Sequence, residues 1–324
     1  MQNYNLIQKI LHKICFKYKI VNKSLYEIEK LFYLNNSEFQ NVVEQKHVFI
    51  AGLARSGTTS ILNYLYSSDE YASLTYKDMP FLFSVNLNSK IYFQKKSKPQ
   101  IRAHKDGVYY NLDSPEALDE VFITAYEGQD FLREFVNYVS LILKLYNRKK
   151  YISKNNNNFK RINLIRKCFP NSKILIPFRD PLQHSYSLYT QHKNFLNLQK
   201  SDNFILSYMN YLGHNEFGQN HKPWYKPNLF TDNLELNYWI EQWIKFYQNI
   251  LNFYEKDNTN IKLICYEKLK DKLYLTEINS YLEIDKINLD GFNISKKKTT
   301  DKFNNHLFDK AVDIYRKLNM FYQC

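Results

Sequence analysis

Residues 48–60 read VFIAGLARSGTTS, an apolar run followed by a glycine-containing turn. The next residues, 61–65, read ILNYL, which is typical of the start of a helix. A strand, a tight turn and a helix N-terminus in this order direct backbone N–H groups and the positive end of the helix dipole toward one point. This stretch therefore predicts a strand, a phosphate-binding loop and a helix of an α/β protein.

This predicted turn differs from the loop that binds nucleoside triphosphates in one residue, a lysine. Gly52 and Gly57 have the spacing of that loop, but Thr58 stands where it has the lysine that reaches the β- and γ-phosphates. The cation of this turn is Arg55, which lies inside it. We therefore expect a phosphate-like donor group here, bound without a metal ion and without metal-assisted triphosphate chemistry.

A second strand-to-helix turn lies in residues 173–187, which read KILIPFRDPLQHSYS. The apolar run at its start predicts a buried strand. Asp180 suits the N-cap of the following helix, and Pro181 suits its first position, where a missing N–H costs nothing. This arrangement places Arg179 at the end of the strand and Ser187 about two turns into the helix.

Together the two motifs resemble the sulfotransferases that use 3′-phosphoadenosine-5′-phosphosulfate (PAPS) as donor, and the resemblance extends from His47 to about Tyr266. In that family a loop similar to Arg-Ser-Gly-Thr-Thr binds the 5′-phosphosulfate. An arginine and a serine eight positions apart, as Arg179 and Ser187 are here, bind the 3′-phosphate. The resemblance also implies that an arginine contacts the bridging oxygen and stabilises the charge that develops on the leaving group. The predicted residues at the 5′ end are Arg55, Ser56, Gly57, Thr58, Thr59 and Ser60.

Transfer to a hydroxyl needs a general base within hydrogen-bond reach. Asp78, in the stretch TYKDMPF, resembles the acidic residue that carbohydrate sulfotransferases place after the second strand. His104 is the alternative, because the small-molecule branch of the family uses a histidine from a nearby segment. The resemblance, which is to a bacterial, carbohydrate-sulfotransferase-like subgroup, implies an acceptor hydroxyl on a carbohydrate or glycoconjugate. Residues 296–299, KKKT, could form the basic segment that closes over the 3′-phosphate.

The fold class follows from the alternation of strand-like and helical segments. Strands are expected at the apolar runs 48–51, 71–75, 150–153, 173–178 and 260–266. Alternation of this kind predicts a three-layer, P-loop-like α/β fold with a central parallel sheet of about five strands covered by helices. Because ligands of such sheets bind at the carboxyl ends of the strands, one ligand with two phosphate groups could bridge both turns.

An N-terminal helical extension, residues 1–46, is expected to precede the sulfotransferase domain of residues 47–324. Apolar residues recur at helical spacing between positions 4 and 34, which predicts one or two amphipathic helices. Such helices mostly pack on their own domain. Lys9, Lys13 and Lys17 also permit peripheral contact with a membrane surface.

Composition limits the alternatives. The net charge of +13 favours anionic partners, so a P-loop kinase of a nucleoside or sugar and a basic nucleic-acid-binding protein are both considered. The nucleic-acid hypothesis leaves both phosphate loops unexplained, and we expect no nucleic-acid partner. Apolar runs are too short to span a bilayer, and lysines interrupt any signal peptide. The four cysteines are far apart and indicate neither zinc nor a disulfide framework, so we expect a cytoplasmic protein.

Overall fold

The computed structural model of the protein describes residues 4–91, 100–101, 109–128, 130–285, 292, 294, 299 and 301–322. In this part of the chain the strands are β1 (Val48–Ile50), β2 (Tyr71–Ala72), β3 (Gln100–Ile101), β4 (Tyr109–Tyr110), β5 (Lys150–Lys154), β6 (Lys173–Phe178) and β7 (Ile261–Cys265). The helices are α1 (Leu6–Lys17), α2 (Lys19–Tyr33), α3 (Phe39–Glu44), α4 (Thr58–Tyr66), α5 (Val85–Ile91), α6 (Glu120–Ala125), α7 (Phe131–Tyr146), α8 (Ile162–Cys168), α9 (Pro181–Ser201), α10 (Asn203–Tyr211), α11 (Leu236–Lys256), α12 (Lys272–Leu282) and α13 (Asn305–Tyr322).

The main sheet has five parallel strands in the order β2-β5-β1-β6-β7, and β3 and β4 pair separately as an antiparallel hairpin. All residues of β1 are fully buried, although successive side chains point to opposite faces of a sheet. Both faces of the sheet are therefore covered, which explains why β1 and β6 are continuous apolar runs rather than alternating ones. The predicted fold class is confirmed.

The five predicted strands all form, with small differences at their ends. The second strand ends at Ala72 because Thr75 pairs with Pro115 and residues Tyr76–Asp78 form a 3₁₀ helix. A similar 3₁₀ turn, Asn158–Arg161, precedes α8, so the helix begins later than its apolar pattern suggests. Such short turns leave little trace in hydrophobic periodicity.

Among the N-terminal helices, α2 packs against α7, α6 and α5 through buried side chains. The Tyr26 hydroxyl donates a hydrogen bond to the Glu134 carbonyl (3.0 Å), and its ring packs against Phe122. The buried carboxylate of Glu29 accepts a hydrogen bond from the backbone N–H of Asn86 (2.7 Å), near the first turn of α5. Burial raises the pKa of Glu29. The domain boundary at residue 46 stays a prediction.

Most of the apolar positions of α1 face outward. Its buried residues are His12, Cys15 and Phe16, and Leu11 is half-buried, whereas Leu6 and the three isoleucines of the helix are exposed. None of the described helices is both long and apolar enough to cross a bilayer.

Candidate active site

The first turn requires glycine at two positions because neighbouring side chains approach its backbone closely. A Cβ on Gly52 would lie 2.6 Å from the Pro177 ring, which belongs to β6. Gly57 is the N-cap of α4 with a φ of 94°, and a Cβ there would lie 2.4 Å from the ring of Tyr266. Arg55 also has a positive φ of 70°, so the chain turns sharply at the guanidinium-bearing residue.

Gly57→Ala is expected to destabilise the protein strongly. The left-handed conformation costs a residue with a Cβ about 1–2 kcal/mol, and the contact with Tyr266 adds an overpacking cost of about 1–3 kcal/mol. Gly128→Ala is the matched control, because Gly128 also has a positive φ (133°) but no atom lies within 4 Å of its Cβ position. Denaturant unfolding of both variants measures the difference, and equal losses would contradict the tight packing on Tyr266.

Hydrogen bonds hold the turn in shape. The Ser56 hydroxyl donates to the Leu53 carbonyl (2.7 Å), and Ser56 N–H donates to the same carbonyl (3.3 Å). His184 of α9 lies 2.8 Å from the Ala54 carbonyl through Nε2, which therefore carries the proton. Burial lowers the pKa of His184 to about 3, and the charges of Arg179 and Arg55 act in the same direction. A neutral His184 thus positions the loop from the second motif.

The two predicted turns meet directly. Arg55 Nε donates a hydrogen bond to Ser187 Oγ (3.2 Å), and the two turns follow β1 and β6, which are neighbours in the sheet. Ser187 is an acceptor in this bond, so its own O–H remains a donor for a ligand oxygen. Asp180 caps α9 by accepting from Gln183 N–H (2.9 Å), as the sequence predicts.

Arg179 lies on the ring of Tyr266, with its guanidinium carbon 4.7 Å from the ring centre. It is 6% exposed, and the same ring faces Gly57. Tyr266 follows β7, the strand beside β6, so a third strand end contributes to the site. The stacking is a cation–π contact, which stabilises a buried guanidinium at the carboxyl end of β6.

The start of α4 supplies N–H donors. Thr58, Thr59 and Ser60 are its first three residues, and the first N–H groups of a helix have no partner within it. Thr58 and Thr59 line the same cavity as Arg55, whereas the hydroxyl of Ser56 is turned inward to Leu53. The arrangement is suited to bind an anion.

Asp78 is placed differently from the other predicted residues. It is 3% exposed, and one carboxylate oxygen accepts hydrogen bonds from Thr75 N–H (2.7 Å), the Thr75 hydroxyl (3.1 Å) and the Tyr146 hydroxyl (2.7 Å). Burial raises the pKa of Asp78 despite these bonds. Asp78 is not among the residues that line the cavity beside Arg55, and its observed contacts are those of a capping residue.

His104 and residues 296–298, which the sequence analysis names as a possible base and a closing segment, lie outside the described residues. Their placement relative to Arg55 therefore stays a prediction.

The cavity contains a buried ion pair that the sequence analysis missed. Lys154 Nζ lies 3.0 Å from Glu116 Oε1, and both side chains are more than 90% buried. Tyr76 donates its hydroxyl to Glu116 Oε2 (3.0 Å), and all three residues line the cavity with Arg55. His214 also lines it, from the irregular segment after α10, with Nε2 3.2 Å from the Ala117 carbonyl.

Lys154 could have been found from the rule that identified the two turns. It is the last residue of β5 and pairs in register with Ile50 of β1, so it lies at the same edge of the sheet. Glu116 had no such signal, because it lies in an irregular segment between β4 and α6.

A network of hydrogen bonds holds the carboxyl end of β5, which carries Lys154. Asp119 accepts from the Ser153 hydroxyl and from Asn155 (3.0 Å), and Asn155 also donates to Glu120 (2.7 Å). Arg161 binds Glu120 through both terminal nitrogens. The loop of residues 155–157 is thus partly buried, and its hydrogen bonds hold the end of β5, including Lys154, in place.

A family model described as the sulfotransferase family matches residues 47–276. The match covers most of the chain and includes both turns, the Glu116–Lys154 pair and Tyr266. The chain belongs to the sulfotransferase family.

Among solved structures, the chain is similar to a sulfotransferase from Alicyclobacillus acidocaldarius and to the sulfotransferase STF1 from Mycobacterium tuberculosis H37Rv. The first is 13% identical, with a TM-score of 0.44 over 87% of this chain and 97% of the other. The second is 12% identical, with a TM-score of 0.46 over 92% of this chain and 77% of the other. No match is found among curated proteins.

Proposed function

We propose that this sulfotransferase uses PAPS as its donor and transfers the sulfuryl group to a hydroxyl of a carbohydrate or glycoconjugate. The observation that carries the proposal is the hydrogen bond between Arg55 and Ser187, which joins the two turns into one anion-binding edge. A donor with phosphate groups at two ends matches two adjacent turns, each with its own arginine.

The 5′ end of the donor is assigned to the first turn. Its phosphosulfate would accept hydrogen bonds from the N–H groups at the start of α4 and from the hydroxyls of Thr58 and Thr59. Arg55 would stabilise the charge that appears on the 5′-phosphate when the bisphosphate leaves. The 3′-phosphate is assigned to Arg179 and to the hydroxyl of Ser187.

The acceptor side is assigned to the cavity that Lys154, Glu116 and Tyr76 line. In the transfer step the acceptor oxygen forms a bond to sulfur, and the bond from sulfur to the bridging oxygen breaks. The leaving bisphosphate keeps that electron pair, and the acceptor proton passes to a carboxylate. Lys154 adds a positive charge beside Arg55, where negative charge develops on the transferred group.

Two carboxylates compete for the role of proton acceptor. Asp78 is the sequence prediction, but it is enclosed by Thr75 and Tyr146. Glu116 lines the cavity, so we favour Glu116 on its position. A carbohydrate acceptor is supported by the polar groups of the cavity together with its aromatic side chains, on which sugar faces can pack. The aromatic residues that line the cavity are Tyr76, Phe195, Tyr208 and Phe217.

Calorimetric titration with adenosine 3′,5′-bisphosphate tests the donor assignment. The protein is expected to bind the bisphosphate with an affinity that magnesium does not change. A P-loop kinase would instead bind ATP only with magnesium. A nucleic-acid-binding protein would prefer an oligonucleotide, with an affinity that falls steeply with salt. Either result would overturn the proposal.

Arg179→Ala is expected to weaken bisphosphate binding about 10- to 150-fold, because it removes a charge-assisted hydrogen bond worth about 1.5–3 kcal/mol. Arg316→Ala is the matched control, since Arg316 is an exposed arginine of α13 that pairs with Asp313 of the same helix. The same titration measures both variants. An unchanged affinity in Arg179→Ala would remove the 3′-phosphate assignment.

A further inference from the structure

The solvent-facing side of α1 carries four large apolar side chains. The exposed fractions of Leu6, Ile7, Ile10 and Ile14 are 73%, 68%, 47% and 41%. These positions recur at helical spacing on one side of the helix, which we call the outer face of α1. A helix on a soluble protein ordinarily directs such a stripe at the core, and exposed apolar patches of this kind mark interaction sites.

The opposite side of α1 already has its partner. His12 packs against Phe204 and Tyr208 of α10, and Phe16 packs against Tyr211. Lys9 lies over the ring of Phe204 at 5.0 Å and so belongs to this packed side. Rolling the helix to bury its apolar stripe would therefore break an existing aromatic cluster.

Apolar exposure is concentrated at this end of the chain. Nine of the fourteen exposed large apolar side chains of the described residues lie between residues 6 and 32, in α1, in α2 and at the junction between them. A random distribution would spread these side chains over the whole chain, so their concentration in residues 6–32 indicates an interaction surface.

The charges of the outer face indicate the partner. Lys13 and Lys17 are exposed on the same side of α1, and the helix contains no acidic residue. Lysines beside an apolar stripe suit an anionic lipid surface, because the stems of the lysines lie along the acyl boundary while their ammonium groups reach the headgroups. Two copies of this face packed together would bring like charges into contact instead.

The length of α1 decides how it would meet a membrane. Its 12 residues extend about 18 Å, which is shorter than the roughly 30 Å of a bilayer core. We propose that α1 lies in the plane of an anionic membrane surface, with its outer face inserted at the headgroup boundary and the rest of the protein in water.

Cosedimentation of the full chain with lipid vesicles tests the proposal. Binding is expected to vesicles containing about a third anionic phosphatidylserine, to be much weaker with neutral phosphatidylcholine alone, and to fall as salt is raised. The triple variant Ile7→Ser, Ile10→Ser, Ile14→Ser is expected to lose about 100-fold or more of the partition coefficient.

The matched control places three serines at equally exposed apolar positions elsewhere, Leu229→Ser, Leu234→Ser and Leu273→Ser, and is expected to bind vesicles as the wild type does. The variant Lys13→Gln, Lys17→Gln should lose several-fold of its binding to anionic vesicles only. Thermal melting and bisphosphate affinity, which should stay unchanged in all variants, confirm that the fold is intact.

Two outcomes would overturn the proposal. One is equal vesicle binding by the triple variant and the control. The other is a wild-type protein that ignores anionic vesicles but dimerises through this face, with the isoleucine variant monomeric by sedimentation. The second result would assign the face to a second copy of the chain.

Discussion

Arg55→Ala is expected to abolish sulfuryl transfer while the protein remains folded. Arg55 is the cation of the first turn, it lines the cavity, and its Nε donates to Ser187. Loss of a donor aimed at developing charge typically lowers kcat about 100- to 1000-fold. The loss of the contact with Ser187 adds to this effect, because it removes one of the side-chain hydrogen bonds that join the two turns. Turnover with PAPS measures the result.

The fold of this variant should survive for a backbone reason. Arg55 already has a positive φ of 70°, and alanine meets the same strain there that arginine does. The hydrogen bonds from Ser56 and His184 that shape the turn do not involve the Arg55 side chain. Thermal melting checks this point.

Arg55→Lys separates charge from geometry. Lysine keeps the positive charge but lacks the planar guanidinium that can bind two groups at once. Arg55→Lys should therefore have more activity than Arg55→Ala but less than the wild type. Arg316→Ala, at an exposed position within α13, controls for the loss of a surface arginine. Near-normal turnover in Arg55→Ala would show that the donor loop is assigned wrongly.

Glu116→Gln is expected to lower kcat about 100- to 10,000-fold with bisphosphate binding intact, since general-base catalysis contributes on that scale. The variant keeps the size of the side chain and removes its ability to take a proton. It also breaks the ion pair with Lys154, so a loss of stability is expected as well. A pH–rate profile separates the two effects: the fall of kcat/KM at low pH should disappear in the variant if Glu116 is the base.

Asp78→Asn and His104→Ala belong in the same experiment. Asp78 forms a capping box with Thr75 and accepts a hydrogen bond from the Tyr146 hydroxyl. Its replacement should therefore lower the melting temperature and leave kcat nearly unchanged. If Asp78→Asn alone stops turnover in a folded protein, the sequence prediction is right and Glu116 is not the base. If only His104→Ala does so, the base belongs to a segment outside the described residues.

The fold was accessible from the sequence because a parallel sheet buried on both faces needs continuous apolar strands. The runs at β1 and β6 meet that condition, and each is followed by a polar or glycine-bearing turn. The order of the strands was not accessible, because it depends on crossover connections that leave no local pattern. That order places β1 between β5 and β6.

Only part of the site was predictable, for the same reason. Arg55 and Arg179 are marked by motifs of neighbouring residues in the chain. Lys154, Glu116 and Tyr266 come from three separate segments and meet at the cavity or against the turns only when the sheet assembles. For Asp78 the sequence motif is present, but the structure gives its carboxylate another role. The carboxylate accepts a hydrogen bond from Thr75 N–H and so caps a local turn.

Adjacent residues in the chain were enough to predict an α/β fold with two strand-to-helix turns and to reveal the resemblance to sulfotransferases, because turns, caps and buried strands are encoded locally. Contacts between residues far apart in the chain decide which groups lie near those turns. The same kind of contact leaves the apolar side of α1 exposed to solvent. Apolar periodicity reveals that a helix has two unlike sides, but the side that is buried depends on the partners that the folded chain provides, here Phe204, Tyr208 and Tyr211 of α10.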